Sequence, residues 1–149
     1  MLLIGIKNFA TQTVLADGLI NIGNVYRKYC KKNACGMPAF AVTANGATLN
    51  HEGIYHITAT FVGTASAAGV ATIQLALNGI PVDGALSSQT YTTADTEVRT
   101  FVIDYYAKVD SNCVLGVPTI DTQTVTFLNA SDTIDLTLTD VVVNVDKVV

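Results

Sequence analysis

Hydrophobic and polar residues alternate at every second position from about residue 40 to the end of the chain. Between residues 53 and 62 the apolar members of this pattern are Tyr55, Ile57, Ala59 and Phe61, and His56, Thr58 and Thr60 separate them. Successive side chains of a β-strand point to opposite faces, so this alternation is typical of a half-buried strand. No helical period of 3.6 residues persists beyond one turn. The pattern predicts an all-β domain.

Further strands are predicted at residues 70–77, 97–109, 124–128, 134–138 and 141–149. The strand at 97–109 is unusual because both of its faces carry apolar residues. Its predicted inward residues are Phe101, Ile103, Tyr105 and Ala107, and its other face carries Val98, Val102 and Tyr106. Seven or eight short strands separated by polar turns indicate a jelly-roll β-sandwich.

Three segments between these strands carry turn signals. The dipeptide Asn78-Gly79 supplies the positive φ angles that a type I′ hairpin turn requires. Pro81 then predicts that the return strand is a short edge piece at residues 80–82, since proline cannot donate to an interior ladder. Residues 63–69, which are all small, predict an exposed loop, and residues 110–118 predict a turn region.

A chain of 149 residues is long enough for one hydrophobic core and too short for two. We assign residues 40–149 to the jelly-roll domain. Residues 1–39 form an N-terminal arm that contains a first strand and a basic, cysteine-containing loop. The arm can pack on its own sandwich or on a neighbouring molecule, and the sequence leaves both arrangements open.

The composition is more apolar than that of an ordinary monomeric domain, with 50% hydrophobic and 13% charged residues and a mean hydropathy of +0.41. The apolar runs are too short to span a membrane, and the first residues lack the pattern of a secretory signal, so we expect synthesis in a cytosol. Identical subunits around a threefold axis would cover the excess apolar surface. Candidate residues for core or trimer packing are Tyr55, Phe101, Tyr105 and Tyr106.

A net charge of −4 and a pI of about 4.8 argue against direct binding of nucleic acid. The basic residues are nevertheless clustered, since four of the eight lie within residues 27–32. These four are Arg27, Lys28, Lys31 and Lys32. Such a cluster is either a solvated loop or a docking contact with an acidic neighbour.

The residues that carry chemistry are few. Cys30, Cys35 and Cys113 are interpreted as reduced thiols, with a disulfide or a zinc site as alternatives. His51 and His56 are five residues apart, which places them on opposite faces of one strand and argues against a shared metal. No nucleophile, base and orienting group occur together. The sequence therefore predicts neither an enzyme nor a bound cofactor or metal.

Two motifs in residues 40–149 carry a family resemblance. They are the strand start Gly53-Ile54-Tyr55-His56-Ile57 and the later hairpin segment 73–82, which contains Asn78-Gly79. In this order and spacing they resemble the trimeric jelly rolls of the tumour necrosis factor and complement globular-head superfamily. The resemblance implies a homotrimer. Residues 141–149 lack the aromatic-glycine ending of the eukaryotic members, so receptor signalling is not implied.

A second resemblance lies in residues 25–36, VYRKYCKKNACG, together with residues 51–56, HEGIYH. These strings resemble small virion proteins of tailed phages of gut bacteria, which are similar to head decoration or head-fibre subunits. The resemblance implies a structural virion protein that is assembled in the bacterial cytoplasm and docks on the major capsid protein or another virion protein. The alternative is a receptor- or glycan-binding module of a phage tail or fibre. That module would use exposed aromatic residues on loops, where only Tyr91 is expected late in the chain.

Overall fold

The computed structural model describes residues 2–29 and 38–149, with the side chains of Leu2 and Val114 excepted. The described residues form twelve β-strands and no helix, so they contain no helix that could cross a membrane. The strands are β1 (Leu2–Asn8), β2 (Gln12–Val14), β3 (Asn24–Tyr29), β4 (Phe40–Thr43), β5 (Gly46–Leu49), β6 (Gly53–Ala65), β7 (Gly69–Leu77), β8 (Ile80–Tyr91), β9 (Arg99–Val114), β10 (Val117–Asp121), β11 (Gln123–Asn129) and β12 (Leu136–Lys147).

These strands form two antiparallel sheets that pack face to face. The large sheet has the order β10-β9-β6-β12-β1-β3, and β2 also pairs with β12. The small sheet has the order β4-β5-β11-β7-β8. Strands that are distant in the sequence are therefore neighbours, as in a jelly roll. The prediction of an all-β jelly-roll sandwich is confirmed.

The core lies between the two sheets and is filled by alternate residues of each strand. In β6 and β9 the buried residues include Tyr55, Ile57, Ala59, Phe61, Phe101, Ile103 and Ala107, as the alternation predicted. The small sheet contributes Ala71, Ile73, Leu75, Val125 and Phe127. The rings of Phe61 and Phe127 meet edge to face across the two sheets, with centroids 5.2 Å apart. Contacts of this kind hold the sheets together.

The N-terminal segment lies on its own sandwich in the described residues. β1 inserts between β12 and β3, and Leu2 to Asn8 of β1 pair with Lys147 to Val141 of β12. The side chains of Ile4, Ile6, Ile20 and Ile22 are fully buried. Of the two arrangements that the sequence left open, the structure adopts the one in which this segment completes the large sheet.

The hairpin after β7 agrees with the sequence at its turn and differs in its second strand. Asn78 and Gly79 have φ angles of 51° and 79°, so both adopt the positive φ that the type I′ turn requires. The predicted short edge piece is wrong, because β8 continues to Tyr91. β8 is the edge strand of the small sheet, where a proline such as Pro81 is tolerated.

Three other boundaries differ from the prediction. The exposed loop predicted at residues 63–69 is confined to residues 66–68, because β6 continues to Ala65 and β7 begins at Gly69, and Gly63 is buried. The expected turn region at residues 110–118 is mostly strand, because β9 continues to Val114 and only Leu115 and Gly116 turn the chain into β10. The two strands expected at 134–138 and 141–149 are a single strand, β12, with an irregularity between Leu138 and Asp140. A β-bulge of this kind adds a residue without ending the strand.

Candidate assembly surface

One face of the large sheet covers the core, and the opposite face is called the outer face here. Along β6 the residues on the outer face are Ile54, His56, Thr58, Thr60, Val62 and Thr64. None of them is Lys, Arg, Asp or Glu. In register with Thr60 lie Val102 of β9 and Val142 of β12, so an uncharged row crosses three strands at the middle of the sheet.

Large apolar side chains are exposed on this face. Val102 and Tyr106 of β9 are each 58% exposed, and Val98, just before β9, is 62% exposed. Soluble monomers expose single apolar residues commonly, but an uncharged central row flanked by protruding aliphatic and aromatic side chains is typical of an interaction surface. The outer face is therefore the candidate site of assembly.

A histidine, a tyrosine and two carboxylates lie together toward one end of the outer face. The His56 ring stacks on the Tyr106 ring with centroids 4.5 Å apart and planes 10° from parallel. Its Nε2 lies 2.7 Å from Oδ1 of Asp104. Asp146 of β12 pairs with His56, and its Oδ1 is buried without a hydrogen-bond partner among the described residues. A polar partner from another molecule would satisfy that atom.

The four aromatic residues that the sequence assigned to core or trimer packing occupy different environments. Tyr55 and Phe101 are fully buried in the core of the chain itself, and Tyr55 donates a 2.6 Å hydrogen bond to the carbonyl oxygen of His51. Tyr105 is half-buried against the same core. Tyr106 is exposed on the outer face. Of the four, Tyr106 is the candidate for a contact with another subunit.

The basic residues are partly within the described chain. Arg27 and Lys28 lie on β3, the edge strand of the large sheet, and both are exposed. The Arg27 guanidinium carbon lies 5.8 Å from the centroid of the Tyr26 ring, and the Tyr26 hydroxyl lies 3.3 Å from Oδ1 of Asn144. Lys31 and Lys32 fall outside the described residues, and their assignment stays a prediction.

One of the three cysteines lies within the described residues. Cys113 is a free, exposed thiol on β9, whereas Cys30 and Cys35 lie outside the described residues. Within residues 2–29 and 38–149, no three His, Cys, Asp or Glu side chains are grouped so as to hold a metal ion.

The loop position expected for Tyr91 is wrong, because Tyr91 ends β8 and is 1% exposed.

Sequence reasoning missed one surface feature. Strands β9 and β10 form a hairpin whose described side chains from Asp110 to Asp121 are all exposed. The sequence signal is Gly116 between Val114 and Val117, and in the structure Leu115 and Gly116 turn the chain with φ angles of 50° and 78°. Leucine rarely adopts a positive φ angle, so Leu115-Gly116 is a much weaker hairpin signal than Asn78-Gly79.

The order of the two sheets defines a jelly roll, and its fold is like that of tumour necrosis factor and complement C1q domains. Solved structures share this fold over nearly their whole length. The globular domain of zebrafish complement 1qA protein matches with a TM-score of 0.64 and 8% identity, over 100% of this chain and 98% of that chain. Eiger TNF from S. frugiperda matches with a TM-score of 0.67 and 10% identity, over 100% and 94%.

A viral protein has the same fold. The vertex protein P5 of phage PRD1 matches with a TM-score of 0.54 and 13% identity, over 99% of this chain and 97% of that chain. No family model and no curated protein matches the sequence. Likeness at these low identities establishes the fold.

Proposed function

We propose that this chain is a homotrimeric structural subunit of a bacteriophage particle, acting as a capsid decoration or head-fibre protein. Its role is to assemble and to dock rather than to catalyse. The outer face of the large sheet is the surface through which copies of the chain associate. The basic segment that begins on β3 supplies an electrostatic contact.

The uncharged row at the centre of the outer face is the observation that carries the proposal. Burying the central row of Thr60, Val102 and Val142 against a second copy removes apolar surface from water without burying a charge. Tyr106 adds a large, partly rigid side chain of the type that dominates interface energetics. A closed ring of copies is the usual way to cover such a face completely.

The placement on a phage particle rests on two independent likenesses. The strings at residues 25–36 and 51–56 resemble small virion proteins of tailed phages. The fold is similar over nearly its whole length to that of the PRD1 vertex protein P5. Both favour the virion as the place where this chain acts, with the major capsid protein or another virion protein as its docking partner.

Assembly is tested by measuring the mass of the purified protein by light scattering and analytical ultracentrifugation. We expect a trimer for the unmodified chain. Thr60→Arg places a charge at the centre of the outer face and should give a folded monomer, because a desolvated, unpaired charge is costly at an interface. Thr90→Arg is the matched control, since Thr90 is exposed on β8 of the other sheet and should leave the trimer intact. A monomeric unmodified chain would contradict the proposal.

The virion location needs a separate measurement. Phage particles from a lysed culture that expresses the chain are banded by density and probed with an antibody against it. We expect the chain in the particle band at a multiple of three copies. Its complete recovery in the particle-free fraction, with particles of normal composition, would refute the virion role and leave the trimer standing.

A further inference from the structure

The β9–β10 hairpin extends beyond the body of the sandwich. Val109 of β9 pairs with Gly53, the first residue of β6, so the part of β9 after Val109 has only β10 beside it. Leu115 at the turn is 99% exposed and Val117 is 60% exposed. A two-stranded ribbon has little stability of its own, so a projecting hairpin with apolar residues at its tip is suited to lie on another surface.

The base of this hairpin carries two carboxylates that face each other. Asp110 and Asp121 are directly opposite in the register of β9 and β10. Like charges at directly opposed positions destabilise a strand pair. The amine of Lys108 lies 2.7 Å from Oδ1 of Asp110 and neutralises one of the two charges. Asp121 has no ion pair among the described residues, so the hairpin offers an unmatched negative charge.

The opposite edge of the same sheet has the complementary charge. Arg27 and Lys28 on β3 are exposed, and neither makes an ion pair within the described part of the chain. Arg27 pairs with Gly5, which is in register with Asn144 and, through it, with Thr58 of the outer face. Arg27 therefore shares the outer face with Asp110, which follows Asp104, Tyr106 and Lys108 at alternate positions of β9.

We infer that the β9–β10 hairpin of one copy docks on the β3 edge of the next copy, so that Asp110 and Asp121 meet Arg27, and Lys28, on the other face of the same edge strand, adds positive charge there. Two different patches on opposite edges of one sheet are what a heterologous, ring-closing interface uses. In this arrangement the hairpin of the next copy is the acidic neighbour that the sequence suggested for the basic cluster. This inference rests on the proposed self-assembly and specifies its contacts.

Charge reversal and its compensation test the pairing. The variants are R27E/K28E, D110K/D121K and the combination of all four substitutions in one chain. We expect each double variant to weaken trimer association by about tenfold or more at roughly 0.15 M salt, because like charges then meet at the interface. The combined variant should recover association to within about threefold of the unmodified chain, because opposite charges meet again.

Controls separate this contact from general effects of charge. Asp83→Lys and Asp132→Lys reverse carboxylates that lie outside the hairpin, on the small sheet and in the turn before β12, and should leave association unchanged. Raising the salt to about 1 M should reduce the difference between the double variants and the unmodified chain, because exposed charges are then screened. Circular dichroism and thermal unfolding check that each variant is folded.

The outcomes distinguish this contact from the assembly on which it rests. If the unmodified chain is a trimer and both double variants associate as strongly as it does, the hairpin contact is refuted and the proposed assembly stands. So does a trimer that is weakened by both variants and not restored in the combination. Loss of particle docking in R27E/K28E without any effect of D110K/D121K on the trimer would also overturn it, since the cations would then serve the particle. A monomeric unmodified chain refutes the hairpin contact together with the proposed assembly.

Discussion

The hydroxyl of Tyr91 donates a 2.8 Å hydrogen bond to the backbone carbonyl oxygen of Gly63, and both residues are buried. Tyr91 ends β8 in the small sheet and Gly63 lies in β6 of the large sheet. The bond therefore joins the two sheets at one end of the core. Burial raises the pKa of the Tyr91 hydroxyl above its usual value, which keeps it protonated as a donor.

Tyr91→Phe removes this donor and leaves the Gly63 carbonyl buried without its partner. We expect the free energy of unfolding to fall by about 1–3 kcal/mol, the usual cost of an unsatisfied buried polar group. Chemical denaturation at neutral pH measures the change. Tyr29→Phe is the control, because Tyr29 is exposed on β3, and it should change stability by less than about 0.5 kcal/mol. Equal effects of the two substitutions would contradict the role of the bond.

Gly63→Ala tests the close approach of β12 to β6. A Cβ atom at Gly63 would clash with the backbone carbonyl oxygen of Thr137. The backbone of β6 or β12 would have to move to relieve this clash. We expect the free energy of unfolding to fall by about 3 kcal/mol, which is the upper end of the usual cost of overpacking, or the protein not to fold. Gly5→Ala is the matched control, since its Cβ would meet the Tyr26 ring, an exposed side chain that can rotate away. A Gly63→Ala protein as stable as Gly5→Ala would contradict this packing.

Alkaline stability should depend on Tyr55. Burial raises the pKa of Tyr55 from 10.0 to about 12. As the pH rises, the unfolded chain therefore loses this proton before the folded chain does. The contribution of the protonated Tyr55 hydroxyl to the free energy of unfolding is complete below pH 10 and is lost as the pH rises toward 12. Tyr55→Phe should flatten the fall in melting temperature over that interval. An unchanged alkaline profile in Tyr55→Phe would refute the assignment.

Acid stability should depend on Glu97, which organises the loop after β8. Its Oε2 accepts hydrogen bonds from the backbone N–H of Thr92 at 2.7 Å and of Thr93 at 3.3 Å, and Arg99 contacts its other oxygen. The Thr92 backbone bond is the main cause that lowers the pKa of Glu97 to about 2 from 4.5. The contribution of the ionised Glu97 carboxylate to the free energy of unfolding is therefore present above pH 4.5 and is lost as the pH falls toward 2.

Glu97→Gln should therefore lower the melting temperature at neutral pH and have a smaller effect near pH 2, where the native carboxyl is half protonated. Asp83→Asn, an exposed carboxyl on β8, is the control and should leave the acid profile unchanged. A parallel shift of the melting temperature at every pH would show that Glu97 acts without its charge.

Much of the fold was predictable because side-chain direction in a strand is local. The alternation over β6 and β9 correctly placed Tyr55 and Phe101 in the core and Tyr106 on the opposite face. The Asn78-Gly79 turn was predictable for the same reason, since positive φ is a property of those two residues and their nearest neighbours. Local chemistry was sufficient at these positions.

Other features required knowledge of distant partners. Tyr91 was expected in a loop because nothing near it in the sequence indicates that Gly63 will lie beside it. The length of β8 depends on its pairing with β7, and the extension of β9 past Val109 depends on β10. Propensity and turn signals cannot report such pairings, because they are set by which strands meet.

The sequence by itself determined that this chain is an all-β sandwich, which faces of its central strands are apolar and that the basic residues are concentrated around β3. Only the tertiary structure decided that β1 and β3 complete the large sheet and that Arg27 and Asp121 occupy opposite edges of it. The physical reason is that side chains alternate between the two faces of a strand whatever its neighbours are, so each strand's own sequence shows which of its faces is apolar. The order of strands in a sheet is chosen by the burial of all of them together.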